Sequence, residues 1–238
     1  MGNLDLEKRM THNLPRTIAV CVFLIAATLP GCKDSTPAKS TSIATVGKPT
    51  TVGVYRPAAA AFYLRYTHVP REPEAIVLFG VRGDVPVAGD WDGDGKWSIG
   101  VYRPSAATFY LRNSNSGGNP DFVIPFGEKG DIPVAGDWGG DGKWSIGVYR
   151  PSEATFYLRN STSGGNAYCV VSFGTKDDIP VVGDWDGNRT VTIGVYRPSN
   201  STFYMRNTNT PGDPDITLSF GASGDRPVVA PWVTGAKP

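Results

Sequence analysis

Histidine and cysteine are scarce in this chain, which has two histidines and three cysteines in 238 residues. A serine or cysteine nucleophile ordinarily needs a histidine base, and zinc centres take most of their ligands from these two residue types. The sequence offers no recognisable motif of either kind, so we expect neither nucleophilic nor zinc-dependent catalysis. Cys169 lies in the apolar run 168–173, where it is expected to be a small buried residue rather than a nucleophile.

An excess of charge of one sign is also missing. Lysine and arginine number 23 against 22 aspartates and glutamates, which gives a formal net charge of +1. Nucleic-acid binders neutralise phosphates with an excess of basic side chains, so this balance gives no electrostatic reason to expect a nucleic-acid partner. No helical period appears beyond residue 32. The length suits one globular domain.

Residues 1–31 form a separate segment with the pattern of a secretory signal peptide. Basic residues precede an apolar run of about 13 residues, which is short of the ~20 that a membrane-spanning helix needs. The run ends in the letters LPGC at residues 29–32, which resemble the lipobox of bacterial lipoproteins, where the cysteine is lipidated and becomes the mature N-terminus. The resemblance implies a lipid anchor on Cys32. An ordinary cleaved signal and an uncleaved anchor are the alternatives.

We therefore expect an exported protein of the cell envelope. The lipid on Cys32 would hold it in the membrane, at the outer membrane or the cell surface, and without the lipid it would be secreted. Residues 32–50 are rich in serine, threonine, proline and lysine without an apolar period, so they are predicted to form a flexible tether. Residues 51–238 are predicted to form the folded domain.

One unit is repeated throughout this domain. The letters GVYRP begin at Gly53, Gly100, Gly147 and Gly194, a spacing of 47 residues each time. The letters FYLR or FYMR, the pair FG and a tryptophan recur in the same register. A fixed period between 20 and 50 residues is the signature of repeat architectures.

Each unit is predicted to contain four short strands, which in the second unit span 86–91, 98–103, 108–113 and 121–126. These segments are rich in valine, isoleucine, phenylalanine, tyrosine and threonine, and glycine, proline, asparagine or aspartate bounds them. Four short strands per unit are the content of a β-propeller blade. The sequence therefore predicts an all-β, four-bladed β-propeller. A β-solenoid and a larger ring assembled from more than one chain are the alternatives.

The two ends of the array are complementary. The first unit begins at its second strand, 51–56, and the chain finishes with an extra first strand, 227–232. Pairing of these two segments would close the ring and remove two exposed sheet edges, which otherwise favour aggregation. We predict closure of the propeller by this pairing.

An acidic loop joins the first and second strands of the second unit. Asp90, Asp92 and Asp94 stand at alternate positions before a glycine, which is the spacing of Ca²⁺ loops whose positions 1, 3 and 5 offer carboxylates. Lys96 at position 7 would offer its backbone carbonyl, and Ser98 at position 9 or a water would complete the set. The prediction is a structural Ca²⁺ with a dissociation constant of ~10⁻⁴–10⁻³ M. A plain solvated turn is the alternative.

The corresponding loops of the third and fourth units are less complete. The first of them has glycine at position 139 in place of the middle aspartate, and the second has arginine at position 189 in place of the turn glycine. We expect the Ca²⁺ affinity to fall from the first loop to the third. The candidate ligands of these two loops, including the position-7 carbonyls, are Asp137, Asp141, Lys143, Asp184, Asp186, Asn188 and Thr190.

The segments FGVRGDVPVAGDWDGDGKWSIGVYRP and FGEKGDIPVAGDWGGDGKWSIGVYRP resemble the FG-GAP or VCBS-type repeats of secreted and surface β-propellers. The likeness covers residues 51–232. It implies an aspartate-rich, Ca²⁺-binding loop between two strands of a blade. It implies neither the number of blades nor a ligand.

Residues that recur in every unit are expected to pack blade against blade, because a single ligand site would not need them four times. The sequence therefore predicts a non-catalytic interaction or scaffold protein, with an unknown protein or glycan as ligand. A carbohydrate-binding propeller is the alternative. A glycoside hydrolase or another hydrolase is a less favoured one: two carboxylates suffice for glycoside hydrolysis, but most acidic residues here stand in the repeated loops.

Overall fold

The computed structural model describes residues 52–67 and 72–229. The predicted signal peptide, the lipidation site Cys32, the tether and the single histidine of the repeat region, His68, lie outside the described residues, as do residues 230–238. Among the residues described, no helix is long and apolar enough to cross a membrane.

Fifteen strands form in the described residues, in four groups that follow the repeat. The first group contains β1 (Val52–Arg56), β2 (Ala61–Arg65) and β3 (Ala75–Leu78). The second group contains β4 (Val85–Gly89), β5 (Ser98–Arg103), β6 (Thr108–Leu111) and β7 (Phe122–Pro125). The third group contains β8 (Ile132–Gly136), β9 (Ser145–Arg150), β10 (Thr155–Leu158) and β11 (Cys169–Ser172). The fourth group contains β12 (Ile179–Gly183), β13 (Thr192–Arg197), β14 (Thr202–Met205) and β15 (Ile216–Ser219).

Each group is one antiparallel sheet whose strands pair in chain order. In the second group the register pairs Val85 with Tyr102 at one end of the first hairpin and Gly89 with Ser98 at the other. The sheets are the four blades of a β-propeller, with about 47 residues per blade. The prediction of an all-β, four-bladed propeller is confirmed, and so is the placement of the strands within the repeat.

The glycine of each GVYRP segment allows a close approach between strands. A Cβ atom on Gly100 would lie 2.6 Å from Cδ2 of Leu111 and 3.0 Å from Cγ2 of Val87, closer than packed atoms come. Gly147 meets Leu158 in the same way, at 2.8 Å. The glycine therefore recurs because a side chain of the neighbouring strand, a leucine in the first three blades and Met205 in the fourth, occupies the space of its missing side chain.

The hydrophobic core lies between consecutive blades. Ile99 and Val101 of the second blade are buried against Phe62 and Val77 of the first. The junctions between the second and third blades and between the third and fourth blades bury the same positions. Burial of these apolar side chains is the main force that holds one blade to the next. The buried residues that the second, third and fourth blades supply to their preceding neighbours are Ile99, Val101, Ile146, Val148, Ile193 and Val195.

The tyrosine of GVYRP belongs to the same core, as predicted. Tyr102 is fully buried, its ring lies 4.6 Å from that of Phe109, and its hydroxyl donates to the carbonyl of Glu128 in the loop that leads to the next blade. Tyr149 repeats the arrangement with the carbonyl of Thr175. Cys169 is also buried in this core, as expected.

The ends of the array differ from the prediction. β1 pairs with β2 alone, so the first blade has three strands in the described residues. Residues 226–229 form no strand and no ladder with β1, and residues 230–232 lie outside the described ranges. The predicted closing ladder is therefore absent from the described part of the chain. Every other first strand runs into a turn that an aspartate holds, whereas the C-terminal copy has alanine and proline at 230–231 and lacks that anchor.

Candidate metal centre

The first acidic loop connects β4 and β5, and Asp90 organises it. Asp90 is buried, its Oδ1 accepts from the backbone N–H of Gly93 (2.8 Å) and Asp94 (3.0 Å), and its Oδ2 accepts from Gly95 (2.7 Å). Gly93 and Gly95 have φ of 81° and 80°, a region that favours glycine. The carboxylate therefore fixes the turn by accepting bonds that a strand would otherwise satisfy.

Asp92 and Asp94 complete a cluster of three carboxylates on this loop. One oxygen from each of Asp90, Asp92 and Asp94 lies within 4.8 Å of the other two. Asp92 Oδ1 accepts from the N–H of Asp94 (3.2 Å), and Asp94 Oδ1 accepts from the N–H of Lys96 (2.8 Å). The alternate spacing thus brings together the carboxylates that were predicted to converge, although each also serves as a turn acceptor.

Lys96 takes part in a way that the sequence did not suggest. Its ammonium donates to Asp94 Oδ2 (2.6 Å), and this hydrogen bond, followed by the negative charge of the cluster, raises the pKa of Lys96. The predicted contribution was the backbone carbonyl of this residue. The side chain instead places a cation beside the carboxylates, where it would compete with a metal ion.

The Ser98 side chain bonds within the sheet. It is buried at the start of β5, and its hydroxyl donates to the carbonyl of Gly89 (3.4 Å), its partner in the hairpin. The predicted contribution at position 9 would require this hydroxyl to leave that bond.

The second loop keeps the turn but has two of the three carboxylates. Asp137 accepts from the N–H of Asp141 (3.1 Å) and Gly142 (2.7 Å), and Asp141 accepts from the N–H of Lys143 (2.9 Å). Burial raises the pKa of Asp137, while the bonds from Gly142 and Asp141 act in the opposite direction. A buried carboxylate without a nearby cation is disfavoured in its charged form.

The third loop satisfies its own polar groups. Asp184 accepts from three backbone N–H groups, and Asp186 Oδ2 accepts from the side-chain amide of Asn188 (3.1 Å). Asn188 Oδ1 accepts from the N–H of Thr190 (2.7 Å). Arg189 has φ of 75°, in the region where the other two loops have glycine. In the described residues, the first loop alone groups three acidic side chains closely enough to hold a metal ion.

A second set of aspartates, outside the acidic loops, ties the first two strands of a blade together through the arginines of the GVYRP segments, which were expected to pair with loop aspartates or carbonyls. The guanidinium of Arg103 at the end of β5 donates from Nε to Asp84 Oδ1 (2.9 Å) and from Nη2 to Asp84 Oδ2 (3.0 Å). Arg103 also lies over the ring of Tyr110, 4.3 Å from its centroid. The pairs Arg150–Asp131 and Arg197–Asp178 repeat this geometry. The signal was available: an aspartate precedes each first strand at the same 47-residue period as the arginine.

The serine- and asparagine-rich loops after the third strands are held from within. Arg112 donates to the carbonyl of Asn119 and to the hydroxyls of Ser114 (3.0 Å) and Ser116 (2.9 Å). Asn115 donates to the carbonyl of Trp97 (3.0 Å). These side chains are used in folding the loop, which favours a structural turn over a sugar-binding surface.

The fold and the loops together define a repeat β-propeller with an acidic turn in its second, third and fourth blades. No family model, curated protein or solved structure matches the chain. The likeness to FG-GAP and VCBS-type repeats therefore rests on the motifs of the chain itself.

Proposed function

We propose that this protein is a non-catalytic interaction scaffold of the cell envelope, with a structural Ca²⁺ in its first acidic loop. The main support is the repetition of its polar and aromatic contacts. The same arginine–aspartate pair and the same tyrosine–carbonyl bond occur in blade after blade, where they hold strands and blades together. Side chains that repeat in this way build a rigid frame, and a propeller frame presents its loops as an interaction surface.

The Ca²⁺ is assigned to the loop of Asp90, Asp92 and Asp94. Three carboxylate oxygens within 4.8 Å of one another form a set of hard ligands of the kind that Ca²⁺ takes in proteins. Three negative charges at this separation repel each other unless a cation lies among them. Lys96 supplies part of that charge, and it is exposed enough to swing away when the ion binds.

Thermal unfolding with EDTA and then with excess Ca²⁺ tests this assignment. A ligand that binds only the native state stabilises it by mass action, and at 10 to 100 times its dissociation constant the gain is about 1.4 to 2.7 kcal/mol. For a chain of this size that corresponds to a rise in Tm of roughly 3–10 °C. Equal melting curves in EDTA and in Ca²⁺ would return the loop to a plain turn.

A pair of variants locates the ion. Asp92→Gly copies the natural composition of the second loop, which has glycine at position 139, and it should abolish most of the Ca²⁺-dependent rise. Asp186→Gly makes the same change in the third loop, where three carboxylates are not grouped. It should leave that rise nearly unchanged.

The anchor is proposed at Cys32. Metabolic labelling with a radioactive fatty acid should mark the protein, and the protein should sediment with the membrane fraction. The Cys32→Ser variant should lose both the label and the membrane association. Labelling that survives the substitution would exclude this cysteine as the site.

The scaffold is favoured over a carbohydrate-binding propeller because the loops that could bind sugars are tied down by their own arginines. A glycan array is the direct comparison. Specific binding to a glycan would promote the carbohydrate-binding function, and turnover of a glycoside or an ester would overturn the non-catalytic assignment.

A further inference from the structure

We propose that the fourth blade of one chain binds the first blade of a second copy, head to tail, through the same interface that joins consecutive blades within the chain. This inference depends on neither the Ca²⁺ nor the lipid anchor. It rests on two unpartnered apolar faces whose complementarity can be read from the three internal junctions.

The first blade presents one half of this interface to solvent. Val52 and Val54 stand at the positions that are buried at every internal junction, where the isoleucine and valine of β5, β9 and β13 are at most 3% exposed. In β1 the side chains of Val52 and Val54 are 59% and 64% exposed. The face is therefore built like the others, but no blade covers it in the described residues.

The fourth blade presents the other half. Leu218 and Phe220 are 52% and 73% exposed, whereas the residues that correspond to Leu218 in the three other blades are buried, as are Phe79 and Phe173, two counterparts of Phe220. A cavity of about 670 Å³ opens on this face. Its apolar lining includes Trp185, Tyr196, Phe203, Met205, Leu218 and Phe220.

Charge complementarity joins the same two ends. Arg56 ends β1 as Arg103 ends β5, but the aspartate that should precede its first strand is not in the first blade. Asp225 is that aspartate, one period beyond Asp178, and it precedes the segment 226–229. In the described residues the Asp225 carboxylate accepts only from the N–H of Ala222 (2.8 Å), and the Arg56 guanidinium bonds only to Tyr63. The fourth blade therefore carries the aspartate that Arg56 lacks, and the first blade carries the arginine that Asp225 lacks.

A buried hydroxyl marks the same junction. Tyr196 is buried like Tyr102 and Tyr149, whose hydroxyls donate to a carbonyl 26 residues later. The Tyr196 hydroxyl has no hydrogen-bond partner within the described ranges. A blade docked on this face would press the following loop, which carries the equivalent carbonyl, against this hydroxyl, as at the other junctions.

The backbone can also extend across the contact. By the register of β4 with β5, residues 226–229 would pair with residues 55–52 of a first blade and supply the strand that β1 lacks. β1 has an open edge in the described structure, and such an edge is a template for pairing with another chain. The apolar faces, the ion pair and the ladder thus involve the same two surfaces.

A second copy is the occupant because, in the described residues, the first and fourth blades of one chain share neither a ladder nor an apolar core. Both remain exposed, and the described residues 226–229 form no ladder with β1 of their own chain. A second copy brings an identical first blade without the constraint of the two intervening blades. A head-to-tail interface of this kind makes a closed ring if the rotation closes after a whole number of chains, and an open filament if it does not.

The test measures the mass of the purified protein by light scattering and sedimentation over a concentration series. Association should give species of at least twice the 25.4 kDa chain mass. Arg56→Asp and Asp225→Arg each place like charges in the contact, and each should weaken association by at least about tenfold. Asp213→Arg is the control: it lies at the junction of the third and fourth blades, and it should leave association unchanged.

Mixing the two single variants separates a second copy from closure of the chain on itself. Between two copies, the mixture pairs arginine with aspartate at both contacts, so association should return to the level of the unmodified protein. If the pair instead forms within one chain, each single variant lowers Tm, mixing leaves Tm low, and only the double variant regains the Tm of the unmodified protein. Recovery of Tm in the double variant without recovery of association in the mixture overturns the proposal in favour of self-closure. A monomer at every concentration, or insensitivity to both single variants, overturns it as well.

Discussion

Replacing Asp131 with alanine should destabilise the protein strongly, because it leaves the guanidinium of Arg150 at the edge of the core without its buried carboxylate partner. The Asp131 side chain is 1% exposed, and it accepts from Nε of Arg150 (3.0 Å), from Nη2 of Arg150 (3.1 Å) and from the N–H of Glu128 (2.8 Å). The hydrogen bond that Arg150 donates to Asp131 is the largest cause of its raised pKa, and the guanidinium stays charged without that partner because arginine is always protonated in proteins.

Removal of one partner from a buried ion pair costs about 3–5 kcal/mol. The lower end applies here, because Arg150 keeps contacts with the exposed carboxylates of Glu128 (3.3 Å) and Glu153 (3.5 Å). We therefore expect a loss of about 3 kcal/mol. At roughly 2–4 °C per kcal/mol for a chain of this size, Tm should fall by about 6–12 °C.

Urea and thermal unfolding followed by circular dichroism measure this loss, and the chain provides its own control. Asp225 occupies the equivalent position at the C-terminal end, where its carboxylate accepts only from the N–H of Ala222. At concentrations low enough to keep the protein monomeric, Asp225→Ala should therefore cost about 1 kcal/mol. If Asp131→Ala costs no more than Asp225→Ala under these conditions, the arginine–aspartate pair does not hold the blade together.

Two further predictions concern the backbone and alkaline pH. Arg189→Gly should raise Tm by a few degrees, because φ of 75° costs a non-glycine residue about 1 kcal/mol or more; Gly142→Ala, in open space at φ of 88°, should lower Tm by a similar amount. Burial raises the pKa of Tyr102 and Tyr149 to about 12 from 10.0, so the stability they contribute is complete below pH 10 and is lost as the pH rises towards 12. Tm measured against pH, with tyrosinate absorbance, should show this loss, and phenylalanine at both positions should flatten it.

The repeat made most of the fold predictable. A 47-residue period and alternating β-branched and aromatic residues placed the strands, because both signals are local in the sequence. The convergence of Asp90, Asp92 and Asp94 was predictable for the same reason, since a tight loop turns alternate side chains to one side. The ion pair of Lys96 with Asp94 was not predictable. The spacing of the motif assigns a role to the backbone carbonyl of Lys96 and does not determine where its long, exposed side chain lies.

The junction between the fourth and first blades could not be predicted from the period. Whether Val52 and Val54 are covered depends on the rotation from each blade to the next, and that rotation is set by packing. Which aspartate pairs with Arg103 could also not be read from the period, because a turn aspartate and a strand arginine 19 residues apart look unrelated until the hairpin brings them together.

The tyrosine hydroxyls have a consequence for how such a chain can change its length. Tyr102 and Tyr149 each reach a carbonyl 26 residues downstream, in the loop beyond the last strand of the blade that carries the ring. An in-frame duplication or deletion of one period, starting at any residue, still rejoins each hydroxyl to an equivalent carbonyl. Recombination between the units of the gene can therefore alter the number of blades while every surviving contact keeps its chemistry.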